Sequence, residues 1–100
     1  MPLGEYRWPF TAALIADAPD SPGVFALWKD DELIYIGRAA GGGGLQKALA
    51  AHFSGTNDCT RSATHYSWEM TLQPEQRERQ VLAEHYRKRK SIPRCNREEA

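Results

Sequence analysis

The sequence lacks any long apolar run. No stretch of its 100 residues approaches the roughly 20 consecutive apolar positions of a transmembrane helix. Glu5, Arg7 and Asp17 interrupt the N-terminal region, where a signal peptide would have its apolar segment. We therefore expect no membrane span and a cytoplasmic protein. The length predicts one domain over residues 1–100.

Cysteine is also scarce. Cys59 and Cys95 are the only two, and neither belongs to a Cys-x-x-Cys pair. Two cysteines cannot form a disulfide framework, so we expect reduced thiols, as in most cytosolic proteins. A zinc site would need both cysteines together with two of His52, His65 and His85, and the usual close ligand pairs are absent. A zinc protein is therefore not expected.

Net charge is absent as well, because 13 basic residues balance 13 acidic ones. Overall charge therefore favours neither nucleic acid nor a membrane surface as a partner. The C-terminal quarter is different, because its cations follow one another with no acid between them. They are Arg87, Lys88, Arg89, Lys90, Arg94 and Arg97. Such a cluster is typical of a phosphate-binding patch and equally of a solvated helix face.

Two apolar runs indicate a β-hairpin. Residues 22–28 and 33–38 are rich in β-branched and aromatic residues, and the charged segment 29–32 separates them. Both runs are almost continuously apolar, which predicts that both faces of the hairpin are covered. The register remains open. Phe25 and Tyr35 share a face if they pair directly, whereas a four-residue loop would place them on opposite faces.

The other segments predict helices and a further strand around this hairpin. A short helix is expected over 10–16 and an alanine-rich helix over 45–53. Residues 64–72 alternate as a half-exposed strand, and Pro74 opens a long helix to about Lys90. The glycines at 41–44 lack the Lys-Ser/Thr ending of a phosphate-binding loop and predict a mobile connection. The sequence thus predicts an α+β fold.

Five short motifs occur in an order that resembles the GIY-YIG nuclease domain family. Glu84 precedes Pro93 by nine residues and Asn96 by twelve, as in the nuclease domain of bacterial excision-repair subunits. The other motifs are Pro-Gly-Val-Phe at 22–25, Tyr-Ile-Gly-Arg at 35–38 and Ala-His-Phe at 51–53. The resemblance covers 19–96 and leaves a short N-terminal helical extension.

The resemblance implies a three-stranded antiparallel sheet flanked by helices, and hydrolysis of DNA phosphodiester bonds with one divalent ion, Mg²⁺ or Mn²⁺. By this resemblance Glu84 is the metal ligand and Tyr35 helps to activate the attacking water. His52 and Arg38 are further candidate catalytic residues. The candidate DNA-binding residues are Arg38, Lys47, Arg87, Lys88, Lys90, Arg94 and Asn96. No small-molecule cofactor is implied, and no oligomeric state.

Some of these residues also have simpler interpretations. Glu84 has Lys88 four positions later, which suits an exposed helix ion pair. Tyr35 could instead be an aromatic residue of the core, and His52 could interact with the last carbonyl groups of its helix. Asn96 could serve only as a turn residue.

Two positions depart from the family pattern. Phe25 replaces the tyrosine of the first motif, and Ala48 stands where the family has its catalytic arginine. Loss of a positioned donor to a developing oxyanion costs on the order of 10²–10³ in rate. Lys47 lies about 100° away around the helix and is no close substitute. The hypotheses are therefore an impaired metal-dependent endonuclease, a non-catalytic nucleic-acid-binding module, or an interaction domain without nucleic acid.

Overall fold

The computed structural model of the protein describes residue 3 and residues 6–99, with the side chains of 98 and 99 left aside. No helix within these residues is long and apolar enough to cross a membrane. The strands are β1 (Trp8–Pro9), β2 (Gly23–Lys29), β3 (Glu32–Ala39) and β4 (His65–Met70). The helices are α1 (Ala12–Ala16), α2 (Gly44–Ser54), α3 (Asp58–Arg61), α4 (Pro74–Arg89) and α5 (Arg94–Glu99).

The sheet is antiparallel, with strand order β1-β4-β2-β3. The predicted α+β class is confirmed, but the sheet has four strands rather than three. The additional strand is β1, in which Trp8 pairs with Tyr66 and Pro9 with His65. It was missed because two residues, one of them proline, carry no alternating pattern. β3 forms the opposite edge, and α5 lies along it.

A β-bulge decides the register of the hairpin. Leu27 pairs with Tyr35 and Phe25 with Gly37, and the register then shifts between Leu27 and Trp28. Lys29 pairs with Glu32, so the turn is shorter than the four-residue loop considered from the sequence, and Asp30 lies in the left-handed region at φ 55°. The extra residue of the bulge keeps Phe25 and Tyr35 on one face as diagonal neighbours, since side chains alternate along a strand.

Both faces of the hairpin are buried, as the continuous apolar runs predict. Phe25 and Leu27 face α1 and α2, and they pack in one cluster with Leu45 and Leu49 of α2. On the other face Val24, Ala26 and Ile36 have no exposed surface. Helix α4 covers that face and buries Val81.

The glycine segment leads directly into helix α2. Gly44 is the first residue of α2, has φ +53° and is buried. Carbonyl groups of a preceding loop accept from the first turn of α2, with Ser21 O bound to the amide of Leu45 and Pro19 O to that of Gln46. A Cβ on Gly44 would lie 2.4 Å from Ser21 O, so only glycine permits this approach. Because these amides are already bonded, they are not available to cradle a phosphate.

The cysteines are not reduced thiols, contrary to the prediction. Cys59 of α3 and Cys95 of α5 form a disulfide across a sequence separation of 36 residues, with Cα atoms 5.7 Å apart. In the chain-entropy description, closing a loop of this length stabilises the fold by about 4 kcal/mol. The prediction failed because cysteine spacing does not show which helices the fold brings together.

Candidate functional site

Three rings form a cluster where α2 crosses the hairpin. The rings of Tyr35 and His52 have centroids 4.9 Å apart, and Phe25 lies 6.0 Å from Tyr35 and 5.6 Å from His52. Gly37 pairs with Phe25 across the hairpin, and a Cβ there would lie 2.6 Å from the Phe25 ring and 2.8 Å from that of Tyr35. Glycine in the Tyr-Ile-Gly motif therefore leaves the space that both rings occupy.

The imidazole of His52 is held from helix α3. Its Nδ1 lies 3.1 Å from Oγ1 of Thr60, which is fully buried. The side chain of Asn57 caps α3 by accepting from the amides of Cys59 and Thr60, which fixes the position of the threonine. Sequence reasoning missed Thr60, because a threonine eight residues from the histidine forms no recognisable motif.

Asn96 is bonded to the edge strand β3 of the sheet. Its Oδ1 accepts from the amide of Ile36 and its Nδ2 donates to the carbonyl of the same residue, each at 2.9 Å. Since β3 is an edge strand, these two backbone groups have no partner strand on that side. The carboxamide thus takes the place of a neighbouring strand next to Tyr35.

Arg38 is exposed at the end of β3 and pairs with Glu78 of α4. Its Nη1 donates to Oε1 of Glu78 at 2.8 Å. The hydrogen bond and the charge of Glu78 raise the pKa of Arg38. This candidate residue therefore binds α4 and remains partly open to solvent.

Glu84 lies in a groove of about 700 Å³ bordered by α4, α5 and the hairpin. Leu33, Ile36 and Val81 are among the apolar residues that line it. Its cations are Arg77, Lys88, Arg89, Arg94 and Arg97, and its carboxylates are Asp31, Glu32 and Glu84. We call this the basic groove. Of the C-terminal cations noted in the sequence, Lys88, Arg89, Arg94 and Arg97 line the groove. The other cations proposed to bind DNA are exposed outside it: Arg38, Lys47, Arg87 and Lys90.

The cations of the groove differ in how far they are already neutralised. Glu69 binds Arg77 through two hydrogen bonds of 2.8 and 3.1 Å. Lys88 and Arg89 form no ion pair within the part of the chain that the structure describes. Arg94 is 3.7 Å from Glu32, while its buried Nε has no hydrogen-bond partner among the described residues. The groove thus retains donors for an anion.

Two titratable groups of the groove have shifted pKa values: the pKa of Arg77 is raised, chiefly by its hydrogen bonds to Glu69, and that of His85 is lowered. Burial lowers the pKa of His85, and the charge of Arg89 lowers it further. The imidazole of His85, next to Glu84, is therefore biased toward its neutral form. The positive charge of the basic groove then lies on its arginines and Lys88.

Glu84 supplies a single carboxylate for a divalent ion. Nowhere in residues 3 and 6–99 do three or more His, Cys, Asp or Glu side chains come together as a metal cluster. Glu84 is exposed, and it forms no ion pair with a described residue. Mg²⁺ commonly keeps several waters and binds through one or two carboxylates plus phosphate oxygens. Glu84 would therefore be the single carboxylate ligand of a Mg²⁺ ion with several bound waters in this groove.

The candidate residues lie in two places on the hairpin. Tyr35 and His52 are together in the ring cluster, on the face covered by α2. Ile36, the next residue of β3, projects to the other face and lines the groove with Glu84. Neither Tyr35 nor His52 lines the groove. Asn96 connects the two places, because it holds the backbone between them.

The fold resembles that of solved GIY-YIG endonuclease domains. Residues 1–89 match the family described as "Domain of unknown function (DUF7508)". The chain is similar to the GIY-YIG N-terminal endonuclease domain of UvrC from Thermotoga maritima bound to magnesium, with a TM-score of 0.60 and 21% identity over 83% of this chain and 91% of that one. A point mutant of the same domain, bound to its divalent cation, has a TM-score of 0.59 and 22% identity over 83% of this chain and 90% of that one.

At this level of identity the likeness concerns the fold alone, which matches the GIY-YIG fold with an additional edge strand. No curated protein matches the chain in sequence.

Proposed function

The chain belongs to the DUF7508 family and has a GIY-YIG-type fold, and we propose that it is a DNA-binding domain that holds the phosphodiester backbone in the basic groove. The observation that carries this proposal is the state of the groove cations. Lys88 and Arg89 have no ion-pair partner among the described residues, and the Nε of Arg94 has no hydrogen-bond partner there. A phosphate in the groove would pair with Lys88, with Arg89 and with the outer nitrogens of Arg94, one of which lies 3.7 Å from Glu32, whereas the Nε of Arg94 is buried.

Contacts of this kind do not read base sequence. Guanidinium and ammonium groups bound to phosphates fix the register of a protein on nucleic acid without reporting base identity. We therefore expect weak, salt-sensitive binding with little sequence preference. A chain of zero net charge supplies no long-range attraction, so binding depends on the local field of the groove.

Salt titration tests this proposal. Each neutralised phosphate contributes about 0.9 to the slope of log affinity against log salt, so three contacts predict a slope of about −2.7. Replacing Lys88 and Arg89 by glutamine should leave a slope of about −0.9. The matched control replaces Arg61 and Arg79, which lie outside the groove. Fluorescence anisotropy with a labelled duplex measures both variants. An equal decrease of the salt slope in the groove variant and in the control variant would refute the groove as the binding site.

A second candidate function is metal-dependent hydrolysis of the bound DNA. The specific observation in its favour is the contact between Tyr35 and His52, together with an exposed Glu84. The Tyr35 hydroxyl, assisted by His52, would take a proton from the attacking water only if the phosphate reached from the groove of Glu84 to the ring cluster, because the two lie on opposite faces of the hairpin. Glu84 would hold the ion, which polarises a phosphate oxygen when bound. Arg38 would contact the phosphate after leaving Glu78.

Position 48 decides how fast such a reaction could be. Ala48 packs partly buried against the core cluster and brings no positive charge to the ring cluster. Without a guanidinium, we expect hydrolysis on the order of 10²–10³ slower than in a domain that has one. The chain is therefore proposed as a binding domain first and a slow nuclease second.

A plasmid-nicking assay with Mg²⁺ or Mn²⁺ separates these two candidates. We expect Ala48→Arg to raise the rate on the order of 10²-fold, and the additional change Glu84→Gln to abolish the gain. Ala50→Arg, an exposed site on the same helix, controls for added charge alone. If a folded Ala48→Arg variant binds DNA but does not cut it faster than Ala50→Arg, the hydrolytic candidate is wrong.

A further inference from the structure

Helix α5 lies along the edge of the sheet and belongs to two parts of the domain at once. Arg94 and Arg97, three positions apart on one side of the helix, line the basic groove. Cys95 lies about 100° away around the helix from Arg94. It is fully buried in the core cluster, on the face covered by α2. One wall of the basic groove is therefore a helix that is held from the opposite side of the sheet.

Few bonds hold this helix, which has six residues and is too short to be stable by itself in water. Asn96 forms two hydrogen bonds with the backbone of Ile36. The ion pair of Arg94 is 3.7 Å long and largely open to solvent, so it contributes little. Within the described residues, the remaining side-chain bond from α5 to another element is the disulfide between Cys95 and Cys59 of α3.

The disulfide differs from the other bonds because it forbids the separation of α5 from α3. Helix α3 is itself fixed, since Asn57 caps it and its Thr60 has no exposed surface. While the disulfide is intact, α5 can leave the sheet edge only when a larger part of the domain unfolds. After reduction α5 can leave by itself, because its covalent connection to α4 through residues 90–93 does not hold it against the sheet.

We propose that the Cys59–Cys95 disulfide is a redox-sensitive clamp on one wall of the basic groove. In the oxidised chain α5 is held at the sheet edge, with Arg94 in the groove and Asn96 bonded to Ile36. In the reduced chain α5 detaches more often, which exposes the backbone of Ile36 and withdraws Arg94 from a bound phosphate. The effect on DNA binding rests on the proposed function, whereas the release of α5 does not.

The redox step is a thiol–disulfide exchange with a dithiol reductant. Cys59 keeps some exposed surface and Cys95 has none, so the thiolate of the reductant attacks Sγ of Cys59, and Cys95 leaves as a thiolate that takes up a proton. The second thiol of the reductant then attacks the first in the mixed disulfide and releases Cys59. Two electrons and two protons reach the protein, and the reductant becomes a disulfide. Oxidation is the reverse.

Hydrogen exchange of the Ile36 amide tests the release of α5 without DNA. This amide donates to Oδ1 of Asn96 rather than to a neighbouring strand, so its exchange reports on the docking of α5. We expect it to exchange roughly 5–150-fold faster in the dithiol-reduced chain, the range of a typical coupling between two sites. Amides of β2, the strand between β3 and β4, report on global unfolding and should change less. Equal acceleration at Ile36 and in β2 would mean that the disulfide only stabilises the whole domain, and would overturn the clamp.

The double variant Cys59→Ser/Cys95→Ala is the matched control, because it cannot be oxidised. Its Ile36 amide should exchange as in the reduced chain, and adding the dithiol should change nothing. Thiol titration of the chain before reduction should find no free thiol, and two free thiols would overturn the proposal at its first step. Amide spectra establish that each form is folded. If the double variant does not fold, the two redox states of the natural chain decide, and a reduced chain that unfolds as a whole would also overturn the clamp.

Salt titration with the labelled duplex tests the consequence for the basic groove. Withdrawal of Arg94 removes one of three phosphate contacts, so reduction should change the slope of log affinity against log salt from about −2.7 to about −1.8. One such contact corresponds to about eightfold in affinity at about 0.1 M salt. Arg94→Gln should give the oxidised chain the slope of the reduced one.

The two parts of the proposal can fail separately. An unchanged salt slope in a reduced chain whose Ile36 amide exchanges faster would overturn the redox control of the groove and support the release of α5. If neither redox form binds DNA, the proposed function is wrong, and the exchange of the Ile36 amide still decides whether the disulfide clamps α5.

Discussion

The two hydrogen bonds of Asn96 allow a quantitative prediction. Replacing Asn96 by alanine removes the partner of both the amide and the carbonyl of Ile36, a residue with no exposed surface. A buried backbone group left without a partner costs about 1–3 kcal/mol. Asn96 is itself only partly buried, so water can reach part of the vacated space. We therefore expect a loss of about 2–4 kcal/mol, a large fraction of the 5–15 kcal/mol typical of a domain.

Asn96→Asp separates the two bonds, because it keeps the acceptor and removes the donor. At neutral pH the carboxylate would still accept from the amide of Ile36 but would face its carbonyl. A protonated carboxyl could donate to that carbonyl, so the folded state raises the pKa of the new residue above the unfolded value of about 3.9. The destabilisation of Asn96→Asp should therefore grow as pH rises from about 4 through the pKa of the folded state. Below about pH 4, where the new carboxyl is protonated, part of the lost stability should return.

Urea unfolding followed by circular dichroism measures both variants. Asn57→Ala is the matched control, since Asn57 also uses its side-chain oxygen to bind two backbone amides, but as a helix cap worth about 1 kcal/mol. Stability of Asn96→Ala within 0.5 kcal/mol of the wild type would show that the carboxamide does not support the strand edge. Loss of DNA binding with unchanged stability would instead favour the DNA contact expected from the sequence.

Two further changes test the loop before α2 and the wall of the basic groove. Gly44→Ala places a Cβ 2.4 Å from Ser21 O at φ +53°, and we expect the free energy of unfolding in urea to fall by about 2–4 kcal/mol. Gly42→Ala is the control, because its Cβ would meet nothing within 4 Å and should leave stability unchanged or slightly higher. Equal losses of stability in the two variants would contradict the close approach at Gly44. Burial and the charge of Arg89 lower the pKa of His85, so the free energy of unfolding should fall as pH drops from about 6.5 toward the pKa of the folded state. Between about pH 7 and 5 the variant His85→Gln should therefore lose less stability than the wild type. An equal loss in both would contradict the lowered pKa.

The local elements could be predicted because their causes are local. Continuous apolar runs indicated the hairpin, alternation indicated β4, and the run from Pro74 indicated α4. The order of the short motifs indicated the GIY-YIG fold, which the structural likeness supports. Within the site, the motifs select Tyr35 and His52, whose ring centroids lie 4.9 Å apart, and their catalytic role stays a prediction.

Other features could not be predicted, because each depends on residues that meet only in the folded chain. The two-residue strand β1 exists because β4 offers a free edge. The bulge that keeps Tyr35 beside Phe25 depends on how the turn closes. Thr60 gains its position only when α3 packs under α2, since eight residues of sequence carry no such signal.

The order of amino acids establishes which residues are available: a phenol, an imidazole, a carboxylate and a cluster of cations, with alanine at position 48. Their arrangement is a product of folding. It placed Glu84 with the cations in a groove on one face of the hairpin and the rings on the other, because neighbouring residues of a strand point in opposite directions. It also joined Cys59 to Cys95, because α3 and α5 meet beside the sheet edge although 36 residues separate the two cysteines.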